Sequence, residues 1–153
     1  MEITAHFDNN NCSVYSSNNQ ILGEIIYKEN NNRKDCVFEF DNRTITIQND
    51  NWNNIIMENS KVLYNLKVGK LWGKINLQNS ENKILGISGF KGGTKMVDKN
   101  KKTLITIQST TNLFKKNHYK IKSESCHLID IFICLYSHIL GSKMKSAGVM
   151  YSI

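Results

Sequence analysis

The run from Cys126 to Leu140 constrains this chain more than any other stretch, because its apolar residues cover nearly every side of a helical wheel. A helix that is apolar all round has no face to give to water, so it must be buried. Its fifteen residues span ~22 Å at 1.5 Å per residue, short of the ~20 residues that cross a bilayer. The burial must then come from protein, and no transmembrane span is expected. Ser123 or Ser125 is positioned as the N-cap and Gly141 as the stop, leaving a tail over 141–153.

Everything before that helix reads as strand. The segment Gln20-Ile21-Leu22-Gly23-Glu24-Ile25 is echoed by Lys83-Ile84-Leu85-Gly86-Ile87, with looser copies around Ile45, Leu63 and Leu104. Spacings of 23, 18, 22 and 19 between Leu22, Ile45, Leu63, Leu85 and Leu104 define a unit of about twenty residues. Each unit is a polar turn followed by two stretches with apolar residues at alternate places, as in Val37 to Phe40, Thr44 to Gln48 and Thr103 to Gln108. Such a unit is a hairpin, and the series is an antiparallel meander. Counting stretches predicts twelve strands at about 2–8, 12–17, 20–28, 35–41, 43–48, 53–58, 61–67, 71–78, 83–90, 94–98, 102–109 and 117–122. The chain has 21 asparagines and no proline. Asparagine tolerates left-handed backbone and bonds its own chain at turns, which suits many tight hairpins. A genome rich in A and T would raise the same residue.

Eight strands make a barrel that its own side chains fill, whereas twelve leave a wide interior. Close packing forbids an empty one. A closed sheet wrapped round the helix buries the helix, fills the barrel and removes exposed sheet edges. The rival arrangement is a two-sheet sandwich with the helix across one open end. Either way, 153 residues suit a single domain, 1–153. With 40% apolar and 22% charged residues, the chain has an ordinary globular balance.

The net charge of +7 conceals a strong asymmetry. Residues 1–60 hold four Lys or Arg against nine Asp or Glu; residues 61–122 hold fourteen Lys against Glu81 and Asp98. The domain is expected to have an acidic and a basic side. A basic face attracts anionic lipid headgroups, nucleic acid or an acidic protein, or simply keeps the protein soluble. The only arginines, Arg33 and Arg43, lie in the acidic portion. Bidentate reading of guanine from the basic part is therefore unavailable, and sequence-specific nucleic-acid recognition is not expected.

About twelve meandering strands followed by one very hydrophobic helix resemble the tubby C-terminal-like superfamily, which includes the LURP-one-related proteins and the phospholipid scramblases. The resemblance rests on the hairpin units at 20–25 and 83–87, the strand Leu71-Trp72-Gly73-Lys74-Ile75 and the helix from Cys126 to Leu140. It implies a twelve-stranded barrel around a central helix, with non-enzymatic lipid or phosphoinositide binding in some members. The thirteen-residue tail departs from tubby proteins, whose helix is terminal. The chain also lacks the proline-rich start, the acylated cysteine cluster and the acidic calcium loop of scramblases, so lipid scrambling is not implied.

Three candidate sites follow. The helix carries His127, Asp130, Cys134 and His138 along one face. These are either a metal site or activated thiol, or a buried polar seam bonded to inward side chains of the barrel. A sealed barrel favours the seam. The stretch Gly86 to Lys95 holds four glycines with Lys91 and Lys95, and reads either as a phosphate cradle or as a hairpin turn. Lys99, Lys101, Lys102, Lys115 and Lys116 add charge at later turns, and form a headgroup-sized patch if those turns share a rim. Trp52 and Trp72 are expected in the wall or core.

The cysteines at 12, 36, 126 and 134 contain no Cys-x-x-Cys. They read as reduced thiols. The first residues lack the basic start and apolar run of a secretory signal, which predicts a cytoplasmic protein. No Gly-x-Ser-x-Gly, His-Glu-x-x-His or dinucleotide fingerprint occurs, and no metal or cofactor is expected. The reading is a non-catalytic intracellular module that binds anionic phospholipid headgroups by peripheral contact through its lysines. Its alternatives are a protein-interaction domain for an acidic partner and a thiol-dependent enzyme using Cys134.

Overall fold

In a computed structural model of the chain, the described residues are 1–8, 10–30, 33–50, 53–68, 74–87, 92–110, 118–125 and 127–146. They form twelve strands and one helix. The strands are β1 (Glu2–Asp8), β2 (Asn11–Ser16), β3 (Ile21–Asn30), β4 (Arg33–Phe40), β5 (Arg43–Asp50) and β6 (Asn53–Glu58), then β7 (Lys61–Val68), β8 (Lys74–Gln78), β9 (Lys83–Ile87), β10 (Gly93–Val97), β11 (Thr103–Ser109) and β12 (His118–Ser123). The helix is α1 (Leu128–Ser146). Each strand pairs antiparallel with its neighbours in sequence, and β1 pairs with β12, Ile3 facing Ile121 and Ala5 facing Tyr119. The sheet is thus a closed barrel, and the sandwich alternative is excluded.

Asparagine makes the hairpins tight. Phe40 pairs with Arg43 across Asp41-Asn42, whose φ angles are 48° and 57°. Glu58 pairs with Lys61 across Asn59-Ser60, at 51° and 65°. Two successive left-handed residues are what a two-residue hairpin loop needs to match the twist of its strands. Asn19 and Asn79 are left-handed as well.

Strict alternation then sorts the faces. Ile45 and Ile47 are buried while Thr44 and Thr46 are exposed; Ile105 and Ile107 are buried beside an exposed Gln108. The inward rows meet α1, in which every residue from Ile131 to Ile139 is buried. Phe132 stacks on Phe40 at 4.8 Å between centroids and lies 5.7 Å from Phe38. Tyr136 lies 5.9 Å from Phe38 and 6.4 Å from Tyr27. From the other side, Tyr119 meets His138 edge-on at 5.4 Å. The helix is therefore surrounded by β3 and β4 on one side and β12 on the other.

The helix differs from expectation at both ends. It starts at Leu128, after a turn in which Ser125 accepts the His127 N–H at 3.2 Å and donates to the Asp130 carboxylate at 3.3 Å. Neither Ser123 nor Ser125 is itself the cap. At the other end α1 passes through Gly141 to Ser146, so the tail expected from 141 is partly helix. A glycine ends a helix by turning left-handed, and among the described residues the glycine with positive φ is Gly93. Gly141 stays helical and buried. Its propensity deficit is about 1 kcal/mol against alanine.

Because the strands run round the barrel in chain order, the sequence halves become the two sides of the wall. The strands from Glu2 to Glu58 form the acidic side, and those from Lys61 to Ser123 the basic one.

Candidate functional site

The basic side carries a groove on the outside of β8, β9 and β10. In β9 and β10, alternation sends Ile84 and Met96 inward, which leaves Lys83, Leu85, Lys95 and Val97 outside. The register sets Lys83 opposite Val97 and Leu85 opposite Lys95. Lysine and apolar residue thus alternate in both directions, the two lysines on a diagonal of about 7–8 Å. Val97 is only 5% exposed despite its outward position. These residues, with Lys99 and Lys101, line a groove of about 380 Å³.

The β10–β11 turn holds the last two in place. One Asp98 carboxylate oxygen accepts from the Asn100 and Lys102 N–H groups at 2.8 and 2.9 Å, and Lys101 takes a left-handed φ of 64°. Lys99 lies 3.9 Å from Glu81, both well exposed, a pairing of small energetic weight. Lys83, Lys95 and Lys101 have no carboxylate partner among the described residues.

Of the lysines expected in a patch, Lys95, Lys99 and Lys101 come together here. Lys102 turns instead to Glu124, 3.3 Å away. Lys91, Lys115 and Lys116 lie outside the described residues, as do Trp52 and Trp72. Lys83 was not expected, nor were Lys120 and Lys122, which line a second outer groove of about 520 Å³ on β11, β12 and β1. Their signal lies in the alternation of their strands and not in the turns. Lys122 faces Glu2 directly, which offsets its charge.

The glycine stretch is described at its two ends, which pair as neighbouring strands, while 88–91, with Gly89 and Lys91, lie outside the described residues. Ile87 pairs with Gly93, and the Gly92 N–H donates to the Ile87 carbonyl at 2.8 Å. That amide is already used, so it is not available to a phosphate. Gly93 has φ 113°, and a Cβ there would collide with the Ile107 carbonyl.

The helix seam divides. His127 is exposed, since it precedes the first turn, and does not belong to a buried seam. Asp130 is half-buried; burial raises its carboxyl above the usual range, and the Ser125 hydroxyl bond opposes that. Cys134 is fully buried, and burial pushes its thiol far above the ordinary range, with the Asp130 charge adding to it. His138 is held by Thr94 Oγ1 at Nδ1 and Ser109 Oγ at Nε2, both at 2.8 Å. Neither imidazole nitrogen is left to receive a proton from Cys134. No group of three or more metal-ligating side chains occurs among the described residues. Two residues before His138, Tyr136 donates to Asn54 Oδ1 at 2.6 Å and accepts from Asn49 Nδ2 at 3.4 Å. These inward asparagines and hydroxyls were missed because each looks like an ordinary strand residue in sequence.

No family model matches the chain. No curated protein matches it either. Among solved structures, it is similar to the X-ray structure of a protein from Arabidopsis thaliana, with a TM-score of 0.63 and 13% identity over 92% of this chain and 89% of that one. The likeness is one of fold. A closed twelve-stranded barrel with one central helix is consistent with the tubby-like superfamily fold that the sequence resembles. No helix among the described residues is long and apolar enough to cross a membrane.

Proposed function

We propose that this protein is a non-catalytic intracellular binding module of the tubby-like superfamily that engages anionic phospholipid headgroups at the β8–β10 groove. The observation that carries the reading is the diagonal of Lys83 and Lys95 beside Lys101, set against the apolar floor of Leu85 and Val97. Lysines near an anionic surface contribute ~1 kcal/mol each. The apolar floor suits the ester region that adjoins a headgroup. The buried, protonated state of Cys134 and the engaged nitrogens of His138 speak against thiol catalysis.

Co-sedimentation with phosphatidylserine-containing and with pure phosphatidylcholine vesicles tests the reading. Binding should be confined to the anionic vesicles, weaken as salt rises, and fall more than about tenfold when Lys83 and Lys95 are both changed to Glu. Equal partition onto both vesicle types, or an unchanged double variant, removes it.

A further inference from the structure

We propose that His6 and His118 form a two-histidine site for a divalent transition-metal ion, placed across the seam where the barrel closes. The two residues face each other directly in the β1–β12 ladder. Their neighbours Ala5 and Tyr119 point inward and are buried, which puts both imidazoles on the outer surface, half-exposed. The rings lie nearly parallel, 4.7 Å between centroids with 11° between planes.

Imidazole is the nitrogen ligand that suits zinc, nickel and copper. Two ring nitrogens that each sit 2.0–2.1 Å from one ion are roughly 3 Å apart. The stacked rings aim their in-plane lone pairs side by side, so each imidazole must turn by roughly 40–50° about its side-chain bonds to point a nitrogen at one shared ion, a rotation open to half-exposed side chains. Directly opposed strand residues suit such chelation, because the ladder fixes their Cβ atoms about 4.5–5.5 Å apart before any ion arrives. Half-exposure leaves room for water to complete the coordination shell. Among the described residues, two charged groups lie within two residues on the same face. Asp8 on β1 favours a cation, and Lys120 on β12 opposes it. Ser13 on β2 faces His6 from the other side and carries no charge.

An ion held there links the first and last strands. It therefore stabilises the closed barrel by mass action. After chelator treatment, thermal melts with added Ni²⁺ or Zn²⁺ should rise by about 5–10 °C at a hundredfold excess over the dissociation constant. The rise should vanish in His6→Gln and in His118→Gln and persist in His127→Gln, which changes an exposed histidine elsewhere. Proton NMR of the unaltered protein gives a second readout should a variant fail to fold: the ring signals of His6 and His118 should broaden together as Ni²⁺ is added. No rise in the unaltered protein, a rise retained by either histidine variant, or broadening of other histidines in preference overturns the proposal.

Discussion

Both ring nitrogens of His138 are held by hydroxyls of the barrel wall, Thr94 on β10 and Ser109 on β11. A neutral imidazole satisfies this cradle, one nitrogen donating and the other accepting, whereas an imidazolium would be charged inside an apolar core. Burial accordingly lowers the His138 pKa from 6.5 to about 4. The unfolded chain takes up the proton at higher pH than the folded one, so the stability associated with His138 is full above about pH 6.5 and is lost as pH falls toward 4. Between pH 7 and pH 4.5 the loss amounts to about 2–3 kcal/mol. Urea unfolding of the protein and of His138→Gln checks this: the variant should be less stable at pH 7 and should lack this part of the acid sensitivity. Asp130, whose carboxyl is raised, works in the opposite sense at lower pH and remains in both proteins. Equal pH slopes would contradict the argument. In the sequence, the spacing of Asp130, Cys134 and His138 along one helix face was legible. Their partners were not, because Thr94 and Ser109 lie 44 and 29 residues away, and only strand closure brings them to the ring.

The hairpins were the most legible elements. Period-two alternation located twelve strands within a few residues, since inward and outward positions see water so differently, and asparagine marked turns that demand left-handed backbone. The end of the helix was less legible, because glycine is a stop only in the conformation that Gly141 does not adopt. Gly23, singled out in sequence as part of a repeated unit, has a packing reason. A Cβ there would lie 2.7 Å from Phe132 Cζ and 2.8 Å from Phe40 Cβ, and would collide with the Glu39 carbonyl. The missing side chain is what lets the helix aromatic seat against β3 and β4. Gly23→Ala should therefore destabilise by about 1–3 kcal/mol through overpacking. Combining it with Phe132→Leu should cost less than the sum of the two single changes, because both act at one contact. Chemical denaturation of all four proteins measures the coupling, and strict additivity would show that Gly23 and Phe132 do not meet.

At the scale of the molecule, a closed meander turns chain order into angular order around the barrel. That is why the charge imbalance between residues 1–60 and 61–122 could be read as two sides of one object. It could not be read as a site, since the groove depends on which lysines of β9 and β10 face outward in register. The same geometry makes wall and helix interdependent. Inward rows such as Ile25, Phe38, Ile47 and Ile56 are buried in one cluster with Ile131, Phe132, Leu135 and Tyr136. Without the helix those rows would line a void that twelve strands cannot close by themselves, and each large side chain would lose dispersion contacts that nothing replaces. The helix alone fares no better, being apolar on every side. Wall and helix are therefore expected to fold as one cooperative unit. A chain ending at His127 should keep strand-forming sequence yet lose its fixed packing, with dye-binding apolar surface, a featureless near-ultraviolet circular dichroism spectrum and no cooperative thermal transition. A sharp transition and native-like amide dispersion in the shortened chain would mean that the barrel fills itself, and that the apolar helix is an added component rather than the core on which closure depends.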